Sequence, residues 1–233
     1  MKRFLTLSAF SGMILFVSCS KPLDRSVLDD PARPAEEKAQ DDDRKAIEVY
    51  NFLGIKPGMT VADLWPGGGY NTHLLSRLMG EDGRVLCMMG FYGGGRYKTL
   101  DQIEARIANS NLSNVELFNT PADLPPNSID VMVSIRNYHD ATAPRDTLIA
   151  ELRTSLKKGG VIGIVDVATD RPGWDEETHR LNEQVVIDEF TANGFTLQGS
   201  SDILRNARDD HSIMGFDEGR YTMDRYLLKF RKN

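Results

Sequence analysis

The 233-residue chain is 40% hydrophobic and 27% charged, which suits one globular α/β domain with a substantial core and excludes a two-domain architecture. The net charge of -6 argues against a general nucleic-acid binder, because such proteins usually carry a basic patch. No run of basic residues occurs beyond the extreme N-terminus.

The N-terminus has the pattern of an export signal. Lys2 and Arg3 precede the apolar stretch Phe4–Val17, which is shorter than the roughly 20 residues that a membrane span needs. The sequence Phe16-Val-Ser-Cys19 resembles the lipobox of bacterial lipoproteins. This resemblance implies an exported lipoprotein, anchored to the membrane through lipid on Cys19 and facing the periplasm. An ordinary cleaved signal and an uncleaved anchor remain alternatives, and both also place the domain outside the cytoplasm.

The following segment, Ser20–Asp43, is rich in charged residues and proline and poor in apolar ones. This composition predicts a tether that is disordered at first. The expected organisation is therefore a signal peptide over residues 1–18, a tether over 19–43 and one domain over 44–233. Cys87 would have no disulfide partner and is interpreted as a small buried hydrophobe.

A glycine-rich stretch near the start of the domain predicts a ligand site. Thr60–Leu64 has the pattern of a short buried strand, Trp65–Gly69 that of a glycine turn, and the residues that follow that of a helix. A strand, glycine turn and helix N-terminus let a ligand approach the backbone without Cβ obstruction. Asp63 lies at the carboxyl end of the strand, where open α/β sheets bind ligands.

This stretch resembles motif I of class I S-adenosylmethionine (SAM)-dependent methyltransferases, an acid followed by G-x-G-x-G. Asp63 matches the acid, Gly67 and Gly69 match the second and third glycines, and Trp65 replaces the first. The resemblance implies SAM as the cofactor. The cofactor-binding residues that it implies are Asp63, Trp65, Pro66, Gly67, Gly68, Gly69, Asn119, Thr120 and Arg136. The alternative is a structural glycine turn in another kind of α/β protein.

The next two strands depart from the family. Strand two, Arg84–Met89, ends without the acid that accepts the ribose hydroxyls, since Met89-Gly-Phe91 occupies that place. Strand three, Val115–Phe118, is followed by Asn119 and Thr120, where the family has an acid near the adenine. Either side chain is able to hydrogen-bond the adenine instead.

The fourth strand, Ile129–Ile135, leads into the polar run Arg136-Asn-Tyr-His-Asp140, which resembles motif IV, where the family places residues facing the transferred methyl group. His139 is the candidate general base, because its unperturbed pKa is about 6.5. Asn137 is the candidate for holding the acceptor, and Asp140 or Asp166 for orienting His139. The alternative for His139 is a purely structural cap of strand and loop.

Other chemistries find less support. The sequence contains no H-E-x-x-H and no closely spaced histidine pair, so no metal site is expected. No G-x-S-x-G motif supports a hydrolase. His179 is predicted to begin a helix that runs to Asn193, where it would serve as a cap or a substrate contact.

Strands that alternate with helices predict a mostly parallel sheet covered on both faces. The family resemblance implies a Rossmann-like three-layer sandwich with seven strands, the last antiparallel. The first functional hypothesis is a SAM-dependent methyltransferase acting on a small or envelope-associated acceptor. The second is a non-catalytic, methyltransferase-like ligand-binding lipoprotein, favoured by the missing acid on strand two and by the cytoplasmic synthesis of SAM.

Overall fold

The computed structural model describes residues 22–90, 99–141, 144–214 and 222–233. The signal peptide, Cys19 and the loop after Gly90 lie outside these residues. A seven-stranded sheet has the order β3-β2-β1-β4-β5-β9-β8, and a two-stranded hairpin, β6–β7, lies apart from it. The strands are β1 Thr60–Leu64, β2 Arg84–Met88, β3 Val115–Phe118, β4 Ile129–Ile135, β5 Leu156–Val167, β6 Trp174–Asp175, β7 Arg180–Leu181, β8 Phe195–Ser201 and β9 Arg225–Lys232.

Helices flank this sheet. They are α1 Ala35–Lys38, α2 Asp41–Arg44, α3 Ala46–Leu53, α4 Tyr70–Met79, α5 Thr99–Asn109, α6 Arg145–Ser155 and α7 Glu183–Ala192. Among the described residues, no helix has both the length and the apolar character needed to cross a bilayer.

The sheet confirms the expected fold class. Neighbouring strands from β3 to β5 pair in parallel, and the last strand, β9, is antiparallel to both β5 and β8. Side chains of a strand alternate between its two faces, so each face needs its own apolar cover. Ala62 and Leu64 of β1 belong to one buried cluster and Val61 to the other. The carboxyl ends of β1 and β4, which lie side by side, therefore meet at one edge of the core.

The N-terminal segment is not the disordered tether that its composition predicts. Residues 25–29 form a 3-10 helix, α1 and α2 follow, and Leu23 is buried in the core. Arg33 is buried and makes two hydrogen bonds to Asp41, of 2.8 and 2.6 Å. The Tyr70 hydroxyl donates to the same carboxylate at 2.7 Å. Mutual pairing lets these charged side chains pack against the domain, which a composition argument does not anticipate.

The helix predicted from His179 begins later than expected. His179 has φ 53 and lies in the turn between β6 and β7, and α7 starts only at Glu183, with Asn182 as its N-cap. A residue with a left-handed backbone cannot be part of a right-handed helix, so His179 is a turn residue. The two short strands together carry Trp174 and His179 towards the carboxyl end of β4.

Candidate functional site

A cavity of about 290 Å³ lies at the carboxyl ends of β1, β4 and β5. Its floor comes from the residues that follow these strands, and its cover comes from the N-terminal segment and α3. The lining residues are Glu37, Arg44, Ala46, Val49, Trp65, Pro66, Gly67, Gly68, Tyr70, Asn71, Ile135, Arg136, Asn137, Val165, Leu204 and Arg225. Five of the residues predicted to bind the cofactor are among them, namely Trp65, Pro66, Gly67, Gly68 and Arg136.

The glycine turn forms one wall of the cavity. Gly67 has φ 57, and a Cβ built on it would meet no atom within 4 Å, so the space beside its backbone is open. Gly69 has φ 85, and its Cβ would lie 2.5 Å from Cδ1 of Ile103. The absence of a side chain at Gly69 therefore lets α5 pack closely against the turn, whereas Gly67 leaves room for a ligand.

Trp65 connects the two places where the sequence departs from the family, namely the missing first glycine of motif I and the missing acid after strand two. It has φ 57, is buried, and donates its backbone N–H to the Met88 carbonyl oxygen at 2.8 Å. A Cβ on Gly90 would collide with its indole. The residue that replaces the first glycine thus packs against the residue that ends strand two, close to the place where the family has its ribose-binding acid.

The cavity carries an excess of positive charge. Three arginines line it, Arg44, Arg136 and Arg225, against one acid, Glu37, which pairs with Arg106. Burial and the neighbouring Arg136 lower the pKa of Arg225 to about 10, so the guanidinium stays charged at neutral pH. This arrangement favours a ligand with a carboxylate or another anionic group.

Asn137 and Arg136 shape the floor. The Asn137 side chain donates to the Trp65 carbonyl at 3.1 Å and to its own strand at Ile135, 2.9 Å, and so joins the ends of β1 and β4. Arg136 adopts φ 60 and donates its N–H to the Val165 carbonyl at 2.7 Å. Such left-handed non-glycine residues concentrate at functional sites.

Asp63 is not part of the cavity lining. It is 1% exposed and accepts a hydrogen bond of 2.6 Å from the Thr72 hydroxyl in α4. Burial raises the pKa of Asp63 to about 7, against the opposing effect of Thr72. In this structure the carboxyl joins β1 to the helix after the glycine turn, and thereby positions that turn.

Asn119 and Thr120 also lie outside the cavity lining. The Asn119 carbonyl accepts the Gly90 N–H at 2.9 Å. Thr120 donates its backbone N–H at 2.9 Å and its hydroxyl at 2.8 Å to Asp123. Both residues are exposed at the end of β3, and their predicted contact with an adenine stays a prediction.

His139 is placed between two carboxylates. Its Nδ1 lies 2.6 Å from Oδ1 of Asp166, its backbone N–H donates to Oδ2 of Asp166 at 3.0 Å, and its Nε2 lies 3.4 Å from Oδ2 of Asp140. Burial lowers the pKa of His139, but the two carboxylates outweigh it and raise this pKa to about 10. Asp166, which sequence analysis named as one way of orienting His139, does contact it.

Two further residues complete this group, and sequence analysis did not connect them with His139. Nε2 of His179 lies 3.0 Å from Oδ1 of Asp140, and the His139 and His179 rings meet edge to face with centroids 4.8 Å apart. Trp174 stacks on His139, with 6.0 Å between centroids, and is 40% exposed. The turn-forming pair Pro172-Gly173 indicated a change of chain direction before Trp174. No local pattern, however, specifies that the β6–β7 hairpin packs against His139.

No protein-family model matches this chain. Several solved structures share its fold. A SAM-dependent methyltransferase from Aquifex aeolicus has a TM-score of 0.66 at 18% identity, over 90% of this chain and 99% of that one. Geranyl diphosphate C-methyltransferase from Streptomyces coelicolor A3(2), solved with Mg²⁺, geranyl diphosphate and S-adenosyl-L-homocysteine, has a TM-score of 0.63 at 14% identity, over 91% of each chain. The [4+2]-cyclase SpnF has a TM-score of 0.62 at 15% identity, over 82% and 81%. At such identities the likeness shows the fold alone.

Proposed function

We propose that the cavity binds SAM and that the protein transfers the methyl group to a small acceptor. The observation that carries this proposal is the open space beside Gly67, at the edge of the sheet where three arginines gather. The fold supports it, because two of the similar structures are named as methyltransferases. Since the same fold also occurs in a [4+2]-cyclase, the residues of the site, and not the fold, carry the proposed function.

The lining fits the amino-acid end of SAM. Arg44, Arg136 and Arg225 are suited to its carboxylate, because guanidinium groups form charge-assisted hydrogen bonds with carboxylates. The backbone of Gly67 is open to close approach. The volume of about 290 Å³ lies near the lower end of ligand pockets, which span about 300–1,000 Å³.

When bound, SAM supplies an electrophilic methyl group. The contribution of this chain is to hold donor and acceptor in line and to keep water away. Glu37, Arg44, Ala46 and Val49 cover the cavity from the N-terminal side and are suited to the second task. Asn137 lines the cavity, and its backbone carbonyl accepts the Asp140 N–H at 3.1 Å, so we place the acceptor on that side, with the proton leaving by way of the His139–Asp140 group.

One observation favours the alternative of a non-catalytic binding protein for a small anion. Trp65 packs against Gly90, just after β2, and in the described part of the chain that directly follows β2 no residue has a carboxylate side chain to bind ribose hydroxyls. A cavity rich in arginine and lacking a nucleoside site would select a small carboxylate or phosphate. The following experiment separates the two functions.

Calorimetry with S-adenosyl-L-homocysteine tests the proposal on the full-length protein. We expect binding at micromolar concentrations, and Gly67→Leu to weaken it at least about tenfold by filling the space beside the turn. Gly58→Leu is the matched control, because Gly58 also has a positive φ and open space around its Cβ but lies outside the cavity lining. This control should bind as the unchanged protein does.

Absence of binding at millimolar S-adenosyl-L-homocysteine would contradict the methyltransferase proposal. If the unchanged protein then released heat on binding a small carboxylate, and Gly67→Leu did not, the anion-binding alternative would be supported. Equal binding of S-adenosyl-L-homocysteine by Gly67→Leu and Gly58→Leu would show that the cavity is not the binding site.

We also propose that the protein is an exported lipoprotein that carries lipid on Cys19 and faces the periplasm. Support comes from the lipobox-like sequence and from the packing of Leu23, only four residues later, in the core. An extended chain covers about 3.5 Å per residue, so this anchor would hold the domain within roughly 15 Å of the bilayer surface. An acceptor in or near the envelope fits such a position.

A further inference from the structure

The strongest unassigned feature is the group formed by His139, Asp140 and His179. Their ligating atoms, one from each residue, all lie within 4.8 Å of one another. Two imidazoles and one carboxylate make up a donor set typical of first-row divalent metals, and such three-ligand sites leave further coordination positions open. We propose that this group binds a divalent metal ion of the Zn²⁺ class.

The surroundings of His139 carry this proposal furthest. The residue is 8% exposed, and its Nε2 makes no hydrogen bond to any residue in the described part of the chain. Nε2 instead faces Asp140 at 3.4 Å. A buried polar atom in this situation requires an explanation, and a metal ion shared with the Asp140 carboxylate supplies one.

Asp166 provides the outer support that metal-binding histidines have. Its Oδ1 lies 2.6 Å from Nδ1 of His139, and its Oδ2 accepts the His139 backbone N–H at 3.0 Å. With Nδ1 bonded to a carboxylate, Nε2 is the atom directed into the group, and it would carry the lone pair for a metal once binding releases its proton. Asp166 is fully buried, so its position does not depend on solvent.

The third ligand, His179, is positioned by the backbone of a hairpin turn. His179 has φ 53 in the turn between β6 and β7, and its Nε2 lies 3.0 Å from Oδ1 of Asp140. Trp174, in the same hairpin, contacts both imidazole rings and restricts their rotation.

Charge and size are compatible with a metal ion. Asp140 and Asp166 contribute two negative charges near two imidazoles, which balance a dication. Bonds of about 2.0–2.2 Å place two ligands of a tetrahedral ion roughly 3.3 Å apart, so atoms that now lie within 4.8 Å of one another must approach by at most about 1.5 Å. The Asp140 and His179 side chains are 29% and 22% exposed, which leaves a route for water or a ligand donor atom.

This proposal replaces the expectation, drawn from the sequence, that no metal site exists. It also changes the interpretation of His139, because a metal ligand is not a general base. A metal here would lower the pKa of a coordinated hydroxyl or water, which is the task that the base was predicted to perform. The site lies outside the cofactor cavity and does not depend on SAM binding.

The test is titration of the full-length, chelator-treated protein with Zn²⁺ by calorimetry, in the absence of SAM. We expect one ion per chain at micromolar affinity or tighter, and visible absorption bands when Co²⁺ is used instead. His179→Asn should weaken Zn²⁺ binding more than about 100-fold, and Asp166→Asn by about 10- to 100-fold.

His211→Asn is the matched control. Both histidines have a positive φ, 53 and 63, which asparagine tolerates, and both lie near aspartates, but His211 is outside the group. This variant should bind Zn²⁺ like the unchanged protein, with all variants checked for the same thermal midpoint without metal. No binding at 1 mM Zn²⁺, or equal affinities for His179→Asn and His211→Asn, would overturn the proposal.

Discussion

At the scale of single residues, burial changes the chemistry of Asp63. The sequence places this acid beside a glycine turn, and the resemblance implies a charged carboxylate. In the structure it is fully enclosed and bonded to Thr72, and burial raises its pKa to about 7. Its unfolded pKa is about 3.9, so the folded protein binds a proton more tightly than the unfolded chain.

The first prediction follows from this difference. Stability from the protonated carboxyl is fully present below about pH 4 and is lost as the pH rises through about 7. Between pH 5 and pH 8 the free energy of unfolding should fall by about 2 kcal/mol more in the unchanged protein than in Asp63→Asn. Urea unfolding at both pH values measures this.

Asp130→Asn provides the comparison, since Asp130 is a partly exposed acid at the start of β4 for which no comparable enclosure exists. It should retain the pH dependence of the unchanged protein. A pH dependence in Asp63→Asn identical to that of the unchanged protein would show that Asp63 is charged in the fold.

At the scale of elements, the N-terminal segment behaves as part of the domain. The buried Arg33 side chain is held by Asp41, the first residue of α2, and Tyr70 at the start of α4 binds the same carboxylate. Arg44 lies over the Tyr70 ring, 3.9 Å from its centroid. These contacts connect the segment that covers the cavity to the helix that follows the glycine turn.

The second prediction concerns this ion pair. Asp41→Ala leaves a buried guanidinium without its carboxylate, and breaking such pairs costs about 3–5 kcal/mol. We expect a loss of about 3 kcal/mol in the free energy of unfolding, measured with urea. Asp42→Ala is the control, because Asp42 is exposed in the same helix, and its loss should stay within about 0.5 kcal/mol.

Equal, small losses in both variants would mean that residues 22–44 unfold separately from the domain. In that event the composition-based prediction of a tether would describe the protein in solution better than its packed segment does.

At the scale of the whole molecule, the proposed lipid-bearing residue Cys19 precedes the buried Leu23 by only four positions in the sequence. The third prediction is that Cys19→Ser moves the protein from the membrane fraction to the soluble fraction. Lipid attachment requires the Cys19 thiol, whereas the domain contacts are unchanged. Fractionation followed by immunodetection measures the distribution.

Cys87→Ala is the matched control, because it also removes one thiol but from the buried core. It should remain with the membrane. Retention of Cys19→Ser in membranes after a carbonate wash would instead indicate an uncleaved signal anchor.

The sequence by itself determined the parts of this protein that depend on near neighbours. A short apolar run, a glycine turn and helically spaced leucines predicted β1, the turn after it and α4, because these signals lie in adjacent residues. The polar run from Arg136 to Asp140 indicated a site because it directly follows a buried strand, which is also a local feature of the sequence.

Only the tertiary structure decided which distant residues meet. His139 and His179 are 40 positions apart, and Arg225 reaches the cavity from the last strand. The packing of the N-terminal segment and the enclosure of Asp63 likewise arise from contacts between elements. Such contacts depend on how whole faces pack and charges desolvate, and these energies are absent from any local pattern.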